Sequence, residues 1–256
     1  MQLIQNLLAH FSDKASRTLV TSVTLGLKYT AVTTDDGGIG LAWTDPSALG
    51  CGKSGPYQDY EGQPASELLA LLKDPSPLNR GMALALVNAL NYHEASGLPD
   101  DTSDGGWMDA FAIGPDTRVS MVGFFRPLMK KFKARGALVE ILDNDQGVGD
   151  RVDFYAKLNG WTEVLLLTST SIINQSTEEV LSHLAPDVTR IIMLGPSTPV
   201  IPQAFSHLPV SILAGTVPVD HEAVLKAVRH GQGTPVIHRF SRKVCIANAP
   251  SPRTSG

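Results

Sequence analysis

Hydrophobic and polar residues alternate through SVTLGLKYTAV (22–32), which predicts one half-buried strand with Val23, Leu25, Leu27, Tyr29 and Ala31 on a single face. The turn residues DDGG (35–38) and the run IGLAW predict a returning strand and an antiparallel hairpin. MQLIQNLLAHF ahead of it reads as an amphipathic first helix. After the hairpin, 44–64 is polar and glycine-rich and reads as loop throughout. ASELLALLK and PLNRGMALALVNALNYHEA (77–95) then predict two helices, the second apolar on nearly every side and therefore the buried spine of this half. SGLPDDTSDGGW breaks the pattern as a surface connection.

From Val119 the pattern changes to strand, loop, helix. RVSMVGF, ALVEILD, TEVLLLTS, TRIIMLG, VSILAG and KVCIAN are short apolar runs. In RPLMKKFKARG, Pro127 suits a helix's first turn and Gly136 its end; in DHEAVLKAVRHG, Asp220 is the expected N-cap and Gly231 the stop. Ser176 and Glu179 fit a capping box. Strands apolar on both faces and spaced by helices predict a parallel sheet covered on two sides. The expected class is α/β, a Rossmann-like parallel-sheet domain (118–256) preceded by a smaller α+β domain (1–117).

Composition changes this picture little. The chain has 256 residues, 43% hydrophobic and 18% charged, with a formal net charge of −4 that argues against nucleic acid as a partner. KKFKAR (130–135) reads as the solvated end of a helix. Apolar runs such as VLLL and IIML are too short to cross a bilayer, and no secretory signal is read at the start, so no membrane partner is expected. Cys51 and Cys245 form no recognised spacing. A cytoplasmic, reduced setting and a symmetric homo-oligomer are the expectations.

Ligands of open parallel sheets bind beyond the carboxyl ends of the strands. Five segments qualify: GFFRP (123–127), DNDQGVG (143–149), TSTSIIN (168–174), GPSTP (195–199) and AGTVPVD (214–220). A helix capped by Thr198 would place Pro202 where a backbone N–H is needed, so a helix should start at Pro202, with 195–201 irregular. Gly195, Pro196, Ser197 and Thr198 then form a stiff, hydroxyl-bearing tip that either binds a guest or packs on a neighbour. Thr168, Ser169 and Thr170 repeat the theme, and Asn174 either fixes that loop or contacts a ligand. Gly123, Phe124, Arg126 and Gly215 complete the expected ligand-binding set in this half. Asp143, with Glu140 nearby, stands where a carboxylate would take ribose hydroxyls, or else is a solvated loop residue.

GFFRP carries one glycine where a dinucleotide fingerprint has three. In the first half, Asn88 interrupts an apolar helix and either bonds a neighbouring loop or faces the inter-domain crevice. Asn91, His93 and Glu94 cluster at that helix's end. GCGKSG (50–55) lacks the flanking strand and helix of a phosphate loop, and reads as a candidate lid carrying Cys51 and Lys53. H-E-x-x-H, C-x-x-C and G-x-S-x-G are all absent from the sequence.

VGFFRPLMKKFKARGALVEILD, LLLTSTSIINQSTEEVL, IIMLGPSTPV and ILAGTVPVD resemble, in order, the DUF364 family, labelled for heavy-metal chelation. SVTLGLKYTAV and PLNRGMALALVNALN resemble the DUF4213 domain that commonly precedes it. The resemblance implies an enolase N-terminal-like first domain and a site in the cleft between domains. It implies a small-molecule binding protein or enzyme handling a transition or heavy metal, directly or as a chelate, with His93 and Cys51 as candidate ligands. Two other readings stay open: an enzyme using NAD(P) or S-adenosylmethionine, and an oligomeric scaffold with a vestigial cleft.

Overall fold

Leu3, Ile4, Leu7, Phe11 and Ala15 recur at helical spacing, and they are the buried stripe of α1 (Gln2–Arg17). This is a computed structural model, and it describes residues 1–45, 58–102 and 105–248. Three strands follow, β1 (Val20–Leu25), β2 (Tyr29–Thr34) and β3 (Ile39–Trp43), forming an antiparallel sheet in the order β1-β2-β3. The single strand expected over 22–32 is thus two strands joined by a tight turn, closed by Gly26 N–H donating to the Tyr29 carbonyl at 3.0 Å. A Cβ at Gly26 would overlap the Val228 carbonyl, and the turn leaves Leu25 and Leu27 exposed.

α2 (Ala65–Leu69) tightens into a 3-10 turn at Ala70–Lys73, and α3 (Pro77–Leu90) then lies directly on β3. The approach is so close that a Cβ on Gly40 would collide with the backbone of Ala85 and Asn88. α3 is the buried spine expected from its composition, with every residue from Arg80 to Val87 buried. The helix expected over 77–95 bends at Asn91 (φ −87°, ψ 0°) and resumes as α4 (Tyr92–Ser96). The described residues of the connection expected at the surface are exposed or half-buried as far as Gly106, and it ends in α5 (Trp107–Ala110). Trp107 is buried there, edge-on to Phe111 and Phe132.

The second sheet comprises β4 (Arg118–Val122), β5 (Leu138–Leu142), β6 (Val164–Thr168), β7 (Arg190–Leu194), β8 (Ile212–Pro218) and β9 (Ser241–Ala247). Its order is β5-β4-β6-β7-β8-β9, parallel except for the antiparallel β8–β9 pair. The chain leaves β4 for β5 on one side and returns past β4 to β6 on the other. The carboxyl ends of β4 and β6 therefore form a topological switch point.

α6 (Arg126–Arg135) ends at Gly136 in the left-handed region (φ 73°), as its sequence requires. α7 (Arg151–Leu158) buries only Phe154 and Leu158, so the apolar pattern does not announce it. Its start is fixed by Asp150, which accepts hydrogen bonds from Val152 and Asp153 N–H. α8 (Thr170–Ile173) and α9 (Thr177–Ser182) follow β6. The expected capping box does not form at α9. Ser176 has helical backbone angles instead of the extended ones of an N-cap and its side chain makes no cap hydrogen bond, and Glu179 pairs with Arg151. α10 (His221–Arg229) is capped by Asp220 as expected and followed by Gly231 at φ 66°; α11 (Thr234–Ile237) precedes β9.

The two sheets share their cores. α1 and α3 pack against the same apolar cluster as α7, α9 and the inward residues of β6 and β7, including Leu165, Leu167, Ile191 and Met193. On the small sheet's other face, Tyr29, Ala31, Ile39 and Leu41 pack on Val224, Val228 and Ile237 of α10 and α11. α5 and α6 cover the remaining face of the large sheet. Among the described residues no helix is long and apolar enough to cross a membrane.

Candidate functional site

The segment 195–201 is irregular, and a 3-10 turn starts at Pro202, as the two prolines require. Gly195 (φ 132°) and Pro196 open a tight turn closed by Thr198 N–H donating to the Gly195 carbonyl at 3.0 Å. The tip then presses into the other half of the molecule. Ser197 Oγ accepts from Trp43 N–H at 2.8 Å. Asn88 Nδ2 donates to the Ser197 carbonyl at 3.2 Å and to the Leu41 carbonyl at 2.8 Å. Ser197 and Thr198 are both buried. Gly215 sits beneath them, where a Cβ would stand 3.0 Å from the Thr198 carbonyl and 2.9 Å from a Val200 methyl. Gly195, Pro196, Ser197, Thr198, Gly215 and Asn88 are therefore brought together, and they form a joint between the two halves.

Further bonds extend this joint along the seam. Asn91 Nδ2 reaches the Val200 carbonyl at 3.4 Å, and the Tyr29 and Thr234 hydroxyls meet at 2.6 Å. Burial pushes the Tyr29 phenol up to about 12, against the opposing effect of the Thr234 hydrogen bond. The His221 ring meets the Tyr92 hydroxyl at 2.8 Å, and burial lowers its pKa although Asp220 acts the other way. Arg242 holds the Ser96 and Leu98 carbonyls of the first half.

A second group of expected residues gathers at the switch point. Gly123 (φ 89°) lies against Thr168, whose Cβ would be 2.9 Å from a Cβ placed on the glycine. Phe124 N–H donates to Asp143 Oδ2 at 2.7 Å, while Gln146 gives Asp143 its backbone N–H (2.9 Å) and its amide (3.1 Å). Asp143 thus ties the loops after β4 and β5 together. The Thr168 and Thr170 hydroxyls lie 3.1 Å apart and are half-buried. Ser169 is buried and bonds the Leu194 carbonyl, and Asn174 ends α8 as an exposed residue. Arg126 opens α6 with its guanidinium over the Phe124 ring, and Glu140 pairs with Lys157 at 2.6 Å.

Three charged residues that the sequence reading did not single out complete this end of the seam. Asp145 has its pKa raised by burial and by the neighbouring Asp143 and Asp45 carboxylates. Asp45 comes from the first half, just beyond β3, and also acts electrostatically on Arg80. Arg80 is buried, donating from Nε to the Ile173 carbonyl at 2.5 Å and from Nη1 to the Asp74 and Pro75 carbonyls at 2.7 Å each. Burial lowers its pKa, opposed by Asp74 and Asp45. The Asp45, Asp143 and Asp145 carboxylates are thus within electrostatic reach of one another, and Asp45 also acts on the buried Arg80 guanidinium.

His93 sits over the β2–β3 turn, with Nε2 2.9 Å from the Asp36 carbonyl. Cys51 and Lys53 lie outside the described residues. The Cys245 thiol on β9 is pushed up to about 11 by burial and by Asp101. Among the described residues no group of three or more His, Cys, Asp or Glu side chains is placed to hold a metal ion. The donors near the switch point are carboxylates and hydroxyls, which suit hard cations better than the soft ions that thiolates select.

Comparison with known proteins agrees with this architecture. The DUF364 family, described as "Putative heavy-metal chelation", matches residues 106–247, and DUF4213, with the same description, matches 8–91. No curated protein matches the chain. A solved DUF364-family structure from Desulfitobacterium hafniense DCB-2, a protein with unknown function, superimposes with a TM-score of 0.76. It has 17% identity over 95% of this chain and 100% of that one. A second from Pyrococcus horikoshii, also a protein with unknown function, gives 0.79 and 16% identity over 96% and 99%. The DUF364 match spans more than half of the sequence, and the chain belongs to the DUF364 family.

Proposed function

We propose that the chain binds a small polar molecule with cationic character, a metal–chelate complex being the class favoured, in the crevice at the switch point. The observation that carries this is the convergence of Asp45, Asp143 and Asp145, where burial and the like charge of the two neighbours raise the Asp145 pKa. Bringing positive charge there relieves the repulsion, whereas a nucleotide pyrophosphate would add to it. The single glycine of GFFRP removes the usual pyrophosphate cradle as well. Heavy metal is then cargo whose own chelator supplies its ligands, since the hard oxygen donors here do not suit direct capture of a soft ion. Thr168 and Thr170 offer hydroxyls to the polar groups of such a guest.

The test is a thermal-shift and calorimetric panel of Zn2+ and Ni2+, each alone and as its ethylenediamine complex, which keeps the positive charge, beside NAD, NADP and S-adenosylmethionine. A shift with a complex that is lost in Asp45→Asn and Asp145→Asn supports the proposal. No response to any metal or complex, or a response to a nucleotide cofactor alone, rejects it.

A further inference from the structure

Thr198 is 3% exposed, and its hydroxyl has no hydrogen-bond partner among the described residues. A buried hydroxyl in that state is unfavourable unless something small completes it. Beside it lies a cavity of about 10 Å³ between the two halves of the molecule. Asn88, Asn91 and Tyr92 line it from one side, and Thr198 and Thr216 from the other. The volume is at the threshold for one water. No carboxylate lines it, so a metal ion has no charged ligand there.

From this geometry we infer that the joint contains a specific site for a single buried water, held by Thr198 Oγ1 and bridging the two halves. The donor and acceptor balance fits. Asn88 and Asn91 spend their amide nitrogens on the Leu41, Ser197 and Val200 carbonyls, so each retains its amide oxygen as an acceptor. The Thr198 hydroxyl donates to the water oxygen, and the water's two hydrogens have the amide oxygens as acceptors. Tyr92 and Thr216 are already engaged by the His221 and His238 rings, which fixes the walls. The inference is independent of the crevice at the switch point.

Two measurements decide it. A wild-type crystal structure at about 1.5 Å resolution should show one water within hydrogen-bond distance of Thr198 Oγ1. Oxygen-17 relaxation dispersion in solution should count one fewer long-lived water in Thr198→Val than in the wild type, with Thr198→Ser restoring the count. Clear density with no water beside Thr198, or equal counts in wild type and Thr198→Val, overturns the inference. If Thr198→Val does not fold, the wild-type map still decides the matter, with the Thr198→Ser count matching the wild type if the water is there.

Discussion

Replacing Asn88 by Ala removes a side chain that bonds β3 and the 195–201 segment at once. The truncation leaves the Leu41 and Ser197 carbonyls without that donor, at 2.8 and 3.2 Å in the intact protein. The shorter bond carries most of the effect, and a buried carbonyl losing its donor costs about 1–3 kcal/mol. Asn88 is half-buried, which limits the loss through partial access of water, and we expect about 2 kcal/mol. For a chain of this size that corresponds to a Tm lower by about 4–8 °C. Urea titration should show a lower midpoint with an unchanged slope, since the surface exposed on unfolding stays the same. Ser197→Ala orphans the Trp43 N–H in the same joint, so the double variant should lose less than the sum by at least about 0.5 kcal/mol. A loss below about 0.5 kcal/mol for Asn88→Ala, together with simple additivity, would refute the view that Asn88 fixes α3 on β3 and, through Ser197, the 195–201 segment.

Ala112 is exposed and held at φ 50°, a conformation costing an L-residue about 1–2 kcal/mol, so Ala112→Gly should raise stability by about 1 kcal/mol in the same titration. Cys245, with its thiol at about 11, has roughly 200-fold less thiolate at pH 8 than an ordinary cysteine. Iodoacetamide labelling followed by peptide mapping should therefore find it nearly inert until the protein is unfolded. His221 has a folded-state pKa below its unfolded value because burial disfavours the charged ring. Its stabilisation is full above the unfolded pKa and is lost as pH falls through the folded one. Thermal midpoints measured from pH 8 to pH 5 should fall less in His221→Gln than in the wild type, and parallel curves would contradict this.

The large sheet was legible because its physics is local. Runs such as VLLLT and RIIML are apolar on both faces, and Pro127, Gly136, Asp220 and Gly231 stand where helix ends need them. The misreadings share a tertiary cause. Gly26 sits in a turn where a carbonyl over 200 residues away leaves no room for a Cβ, and Trp107 is buried with an aromatic contact to Phe132 of α6. At the site, the sequence located the glycine and hydroxyl tips but left open what Ser197 and Asn88 do. Nothing near Ser197 in sequence announces that its oxygen meets the Trp43 amide. Asp45, Asp145 and Arg80 escaped notice because each looks like an ordinary charged residue until the fold closes. The one available signal was Arg80 itself, a cation at the head of an otherwise apolar helix.

The distribution of these bonds bears on how a guest can enter. Hinged closure about a crevice needs an interface that slides or opens, which is the default only where the contact between domains is small and polar. Here α1 and α3 bury the same apolar cluster as β6 and β7, and polar bonds pin the seam at Tyr29, Asn88, Asn91, Tyr92 and Arg242. Opening the seam would expose that shared core and break those bonds together. Near the switch point, by contrast, Asp45 reaches Asp145 electrostatically and Arg80 holds the Ile173 carbonyl, while Asp143 ties the loops after β4 and β5 together. On the proposed function, recognition there rests on charge and hydroxyl placement on a fixed frame, so selectivity should respond to substitutions at Asp45, Asp145, Thr168 and Thr170, and Asn88 and Ser197 should act through the stability of the frame.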